Sequence, residues 1–183
     1  MLYEKSGGGV VFSGGEPLMQ INEAFLCLLE RLKAEHISVG IDTCGYAETE
    51  ILEKAAEFTD YFLWDLKLID PGLHKKYTGL DNSLILKNLR YVDEKGIPVY
   101  LRCPIIPGIN NTAEHIQKLS EVAAGLKHVA EIDLLPLHHM GTSRYEKMGR
   151  KDLFAETQSP SEYEMEQYKK LLENAGFRVR IIG

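Results

Sequence analysis

Short apolar runs rich in β-branched residues alternate with stretches of helical periodicity along all 183 residues, and this alternation constrains the fold more than any other feature. The expected strands are Val10–Ser13, Ser38–Thr43, Tyr61–Lys67, Val99–Ile105, Glu131–Leu137 and Phe177–Ile182. Between them lie expected helices over Asn22–Glu35, Glu48–Phe58, Ser83–Lys95, Thr112 to about Lys127, and from Ser159-Pro160-Ser161-Glu162 to Asn174. In Asn22–Glu35, Phe25, Leu28, Leu29 and Leu32 share one face, the mark of an amphipathic helix. Strands joined in series through helices form a parallel α/β sheet. No linker or low-complexity tract interrupts the chain, so residues 1–183 are expected to be one domain. A complete eight-stranded barrel takes about 250 residues, which leaves a partial barrel or an open doubly wound sheet. Met140–Gln158 is the long irregular stretch, and long loops in compact domains are often functional.

Polar residues gather where the expected strands end. Strand one runs into Ser13-Gly14-Gly15-Glu16-Pro17, strand two into Asp42-Thr43, and strand three into Asp65 and Lys67. Strand four carries Arg102, and strand five ends in His138-His139. In parallel α/β folds this edge is the ligand face. Alternation along strand three puts Phe62, Trp64 and Leu66 on one side, toward helices, and Leu63, Asp65 and Lys67 on the other. An Asp and a Lys on a buried strand face need partners or a ligand. A structural ion pair inside a barrel satisfies them as well as a site does. Gly14-Gly15 admits a close backbone approach to a ligand, or simply a tight turn. Of the adjacent histidines at most one faces a pocket. His138 shares its parity with Leu134 and Pro136, and His139 with Leu135 and Leu137 on the expected helix side.

Bulk properties narrow the classes. A net charge of -6 argues against nonspecific nucleic-acid binding. No apolar run reaches transmembrane length and no secretory signal is visible, so no membrane association is expected and the cytoplasm is the expected compartment. The three cysteines, Cys27, Cys44 and Cys103, are too dispersed for a zinc or cluster repeat.

Five stretches in order resemble the radical S-adenosylmethionine (SAM) enzymes that activate glycyl radical enzymes, of the pyruvate formate-lyase activating type. They are SGGGVVFSGGEPL (Ser6–Leu18), IDTCGY (Ile41–Tyr46), LWDLK (Leu63–Lys67), LRCPIIPGIN (Leu101–Asn110) and LLPLHHMG (Leu134–Gly141). The resemblance implies a partial (β/α)6 barrel of the radical SAM type, here lacking its first strand–helix unit. It implies that Gly14, Gly15 and Glu16 contact the methionyl amino group of SAM, and that Lys67, Arg102 and His138 line the SAM pocket. It implies a monovalent cation held by Asp42, Thr43, Asp65 and the backbone of Leu63.

The implied chemistry is one-electron cleavage of SAM on a [4Fe-4S] cluster to a 5′-deoxyadenosyl radical, which takes a hydrogen atom from a glycine of a glycyl radical enzyme such as pyruvate formate-lyase. An electron donor such as flavodoxin or ferredoxin is implied with it. The chain departs from the family in having no CxxxCxxC motif. As written it is expected to be a truncated, inactive piece whose cluster belongs to the full-length protein. Two alternatives are a radical SAM enzyme acting on a small molecule and a non-catalytic SAM-binding protein that lost its cluster. The missing neighbour leaves the first expected strand as an apolar edge, which implies self-association or cover by Met1–Ser6.

Overall fold

The β-branched and aromatic runs form strands in the computed structural model, which describes residues 8–138, 154 and 156–183. The strands are β1 (Gly9–Phe12), β2 (Ser38–Thr43), β3 (Tyr61–Asp65), β4 (Val99–Ile105), β5 (Val129–Pro136) and β6 (Val179–Ile181). They make one sheet in the order β1-β2-β3-β4-β5-β6, every pair parallel. The helices are α1 (Glu23–Ala34), α2 (Thr49–Ala56), α3 (Pro71–Thr78), α4 (Ser83–Glu94), α5 (Ala113–Ala124) and α6 (Glu162–Asn174). His139, Met1–Ser6 and most of Met140–Gln158 lie outside the described residues.

The unreversed strand order decides between the two architectures that length left open. A doubly wound sheet reverses its order at a switch point. Here each right-handed crossover returns to the next strand on the same side, so the helices collect on one face, as in a barrel wall. The side chains show it. Ile41, Phe62, Trp64, Leu101, Cys103, Ile132 and Leu134 are 0% exposed and pack with helix residues such as Leu52, Leu119 and Leu172. Each such side chain contributes about 1.5–3 kcal/mol on burial. The other face carries the residues between them. Tyr61, Leu63, Asp65, Tyr100 and Arg102 are half-buried, and no helix among the described residues covers them. The fold is a partial parallel α/β barrel, as the resemblance implies.

Caps explain the helix limits. Asn22 and Thr112 accept backbone N–H bonds at the starts of α1 and α5, and Ser161 and Glu164 form a reciprocal capping box at α6. The sequence reading missed α3. Asp70 caps it by accepting from Leu73 N–H, Pro71 occupies its first turn, and Gly79 ends it at φ 89°. A short 3-10 turn, Pro17–Gln20, also follows the Gly-Gly-Glu loop.

The parity assigned to strand five is corrected. Leu134 is the core residue on the helix side and Leu135 lies on the opposite face. The register pairs Leu134 with Cys103 and Asp133 with Arg102. Beyond Pro136 the strand ends, and alternation no longer predicts where His138 points.

Candidate functional site

The exits of β1 to β4 enclose one cavity of about 330 Å³, within the ~300–1,000 Å³ range of small-molecule sites. Gly14, Gly15, Glu16, Asp42, Thr43, Asp65, Lys67 and Arg102 line it, joined by Ser13 and Cys44. Of the SAM-contact residues implied by resemblance, His138 is absent from this lining. It is exposed at the β5 exit, against the chain end, where a Cβ on Gly183 would sit 2.9 Å from its Nε2. Leu63 stands beside Asp42 in the β2–β3 register.

Alternation sends Asp42 and Thr43 to opposite sides of β2, and their partners differ accordingly. Asp42 Oδ2 accepts from Arg102 Nη1 at 2.7 Å and from the Ser13 hydroxyl at 2.9 Å. Thr43, 2% exposed, donates its hydroxyl proton to Glu16 and accepts Gly45 N–H at 2.8 Å. Lys67 donates to Asp65 Oδ2 at 3.1 Å. Both aspartates therefore use Oδ2, and Oδ1 of each has no hydrogen bond among the described residues.

Glu16 is built into the wall. Its Oε1 accepts Leu18 N–H at 3.2 Å and the Thr43 hydroxyl, and its Oε2 accepts Cys44 N–H at 2.9 Å. These bonds clamp the Gly-Gly loop to the end of β2. Gly14 and Gly15 adopt φ 92° and 60°, which favours glycine, and nothing lies within 4 Å of a Cβ built on Gly14. The backbone there is open to a ligand. Gly45, at φ 74°, leaves room for Trp64, whose Cζ2 would lie 2.0 Å from an added Cβ.

Three carboxylates and two cationic side chains line the cavity, a formal excess of one negative charge. The Cys44 thiol is pushed up to about 11 by burial and by its hydrogen bond to Glu16, so it stays protonated at neutral pH. An apolar annex lined by Met19, Tyr46, His74, Thr78, Leu80 and Ile85 shares Glu16, Cys44 and Lys67 with the polar cavity.

The thiols of this chain do not fit a [4Fe-4S] cluster. Cys27 is exposed on α1, Cys103 is buried on the helix side of β4, and Cys44 lies at the cavity. No group of three or more His, Cys, Asp or Glu side chains among the described residues is gathered to hold a metal.

Sequence reasoning missed two features. Asn110, 2% exposed, bridges the exits of β3 and β4. Its signal was an Asn two residues after Pro-Gly-containing Ile106–Gly108. Farther down the inner face, Glu131 and Asp133 pair with Arg178 and Arg180. The matched i, i+2 spacing of acids on β5 and bases near β6 was visible in the sequence.

A one-sided parallel wall with a polar cavity at its strand exits defines a small-molecule-binding α/β barrel domain. The sequence profile of the Radical SAM superfamily matches residues 2–121. The chain is 40% identical to the trans-4-hydroxy-L-proline dehydratase activating enzyme of Clostridioides difficile, covering 100% of this chain and 61% of that protein. It is 34% identical to the pyruvate formate-lyase-activating enzyme of Listeria monocytogenes, covering 96% and 73%. A crystal structure of a domain of pyruvate-formate lyase-activating enzyme from Bacteroides vulgatus superposes with a TM-score of 0.80 at 33% identity, covering 97% of this chain and 100% of that one. The chain belongs to the radical SAM superfamily and, within it, to the activating enzymes of glycyl radical enzymes. It spans 61% and 59% of the length of two curated relatives. Among the described residues no helix is long and apolar enough to cross a membrane.

Proposed function

We propose that this chain is the SAM-binding part of a glycyl-radical-enzyme activating enzyme, a single partial-barrel domain. In the full-length protein the reaction is reductive cleavage of SAM, followed by hydrogen-atom abstraction from a glycine of a glycyl radical enzyme. Pyruvate formate-lyase is one such partner, and a flavodoxin or ferredoxin supplies the electron. The three thiols of this chain do not fit such a cluster, so only the binding role is assigned to residues here.

The observation that carries the reading is the charge and layout of the strand-exit cavity. SAM at neutral pH carries a sulfonium, an ammonium and a carboxylate, one net positive charge. The cavity has one formal negative charge in excess. The Oδ1 atoms of Asp42 and Asp65, which have no hydrogen bond among the described residues, suit the ammonium or a monovalent cation, with the Leu63 backbone beside them. Thr43, whose hydroxyl is already shared between Glu16 and Gly45, has its backbone left for that cation site. The open Gly14 backbone receives the methionyl end, while Lys67 and Arg102 face its carboxylate. His138 reaches the ligand only from the far rim, at the β5 exit.

Calorimetric titration of this chain with SAM and with S-adenosylhomocysteine tests the reading. The homocysteine analogue lacks the sulfonium charge, so SAM is expected to bind more tightly. Absence of SAM binding at millimolar concentration, or preference for the analogue without the sulfonium charge, would sink it.

A further inference from the structure

The backbone ladder between β3 and β4 is interrupted beside the cavity. Leu66 N–H donates to the Arg102 carbonyl at 2.9 Å. In a parallel ladder the donors of one strand recur every second residue. The next donor due on β4 after Arg102 is residue 104, which is proline and has no N–H. The acceptor that bond would have met is the Leu66 carbonyl, one residue before Lys67, where β3 leaves the sheet and Lys67 enters the cavity wall.

The Asn110 side chain bridges the two strands just beyond this gap. Its Nδ2 donates to the carbonyls of Pro104 at 2.7 Å and Lys67 at 3.2 Å, and its Oδ1 accepts Ile106 N–H at 2.6 Å. Two carbonyls can be met only by the amide NH2, so the partners fix the orientation. The turn Ile106–Asn110 presents the side chain. Ile109 and Asn110 N–H both donate to the Ile106 carbonyl, and Gly108 takes φ 77°. Tyr168 donates its hydroxyl to the Asn111 carbonyl at 2.6 Å and ties the turn to α6.

We propose that Asn110 is a positioning residue for Lys67. It ties the exits of β3 and β4 together beyond the point where Pro104 ends the ladder, and holds the Lys67 backbone. The ammonium group then stays against Asp65 at the cavity wall instead of swinging into solvent. Asn110 itself does not line the cavity. The ligand arm of the test rests on the SAM reading above; the first arm does not.

The first arm uses 13C-dimethylated lysines, which keep their charge. The Lys67 signal is assigned by its loss in Lys67→Met, and its chemical shift at one pH is compared in the parent chain, Asn110→Ala, Asn110→Ser and Asn110→Asp. Serine keeps one donor and aspartate keeps the shape, so a folded variant is available if alanine unfolds. The Lys67 signal is expected to move toward those of the exposed lysines in the variants while the other lysine signals stay. An unmoved Lys67 signal in a folded variant overturns the proposal. The second arm measures SAM affinity. Asn110→Ala is expected to weaken binding about tenfold in the parent and less than twofold in the Lys67→Met background, the mark of coupled residues. Equal losses in both backgrounds reduce Asn110 to a structural residue. If the parent binds no SAM, the cavity reading fails, and the first arm alone decides on Asn110.

Discussion

Asp42 on β2 and Arg102 on β4, 60 residues apart in sequence, meet at 2.7 Å across the intervening strand and close the floor of the strand-exit cavity. The contact uses one oxygen of Asp42 and leaves the other for a ligand. Asp42→Asn removes the negative charge while keeping the shape. SAM affinity is expected to fall about 10- to 100-fold, in line with the loss of a charged hydrogen bond worth ~1.5–3 kcal/mol. Calorimetry on the folded variant checks this. Unchanged affinity would take Asp42 out of the site.

Glu16 lines the cavity and clamps its wall. Its carboxylate gathers Leu18 N–H, Cys44 N–H and the Thr43 hydroxyl. Glu16→Gln turns one acceptor into a donor facing N–H groups. Urea unfolding is expected to show a loss of about 1–3 kcal/mol. A variant as stable as the parent would mean that the loop holds without the clamp.

Much of this was legible because periodicity is local. Ser38–Thr43 and Val99–Ile105 match the observed β2 and β4, and the polar strand ends from Gly14 to Arg102 do converge. Capping chemistry at Asp70, Pro71 and Gly79 was also local and marked α3, yet the polar content of Pro71–Thr78 hid its helical face. What could not be read was set by distance or by strand ends. Two of the three partners of Glu16 lie 27 and 28 residues away, and no local pattern says that its carboxylate turns to the wall. His138 follows Pro136, where the period-two rule stops with the strand.

The three thiols are expected to behave independently and to hold no [4Fe-4S] cluster. Anaerobic reconstitution of this chain should leave far fewer than about four irons per chain. At neutral pH, disulfide reagents should modify exposed Cys27 first. Cys44, raised to about 11, follows slowly, and Cys103, also raised by burial, reacts only on unfolding. A stoichiometric cluster with its visible absorption would refute this.

His115 on α5 is 8% exposed, and its Nε2 has no hydrogen-bond partner among the described residues. Burial lowers its pKa from 6.5 to about 4, with Lys118 adding to the shift. The unfolded chain therefore binds a proton that the folded one resists. The contribution to stability is complete above about 6.5 and is lost as pH falls through about 4. It amounts to something on the order of 1–3 kcal/mol. Urea midpoints measured from pH 7 to 4.5 should fall less steeply in His115→Leu than in the parent. Parallel slopes would show that His115 does not titrate in this window.

The last expectation concerns the β1 edge. Among the described residues β1 pairs only with β2, and its sequence, Gly9-Val10-Val11-Phe12, carries no charge and no proline. Val11 is 44% exposed. Beside the edge, Phe12 stacks edge-on against Phe25 of α1 at 4.8 Å, and with Leu28 and Pro17 they line an open groove of about 530 Å³. An uncharged strand next to apolar surface is a template for another strand, and proteins usually block such edges with lysine, proline or a covering segment. This chain is therefore expected to self-associate in solution through β1. Light scattering coupled to size exclusion should show a mean mass that rises with concentration. Val11→Lys, on a half-exposed position, should return the mass toward that of the monomer without loss of secondary structure. A parent chain that stays monomeric across the concentration range would place cover over β1, and protection of the Val10–Phe12 amides from hydrogen exchange would then confirm that cover.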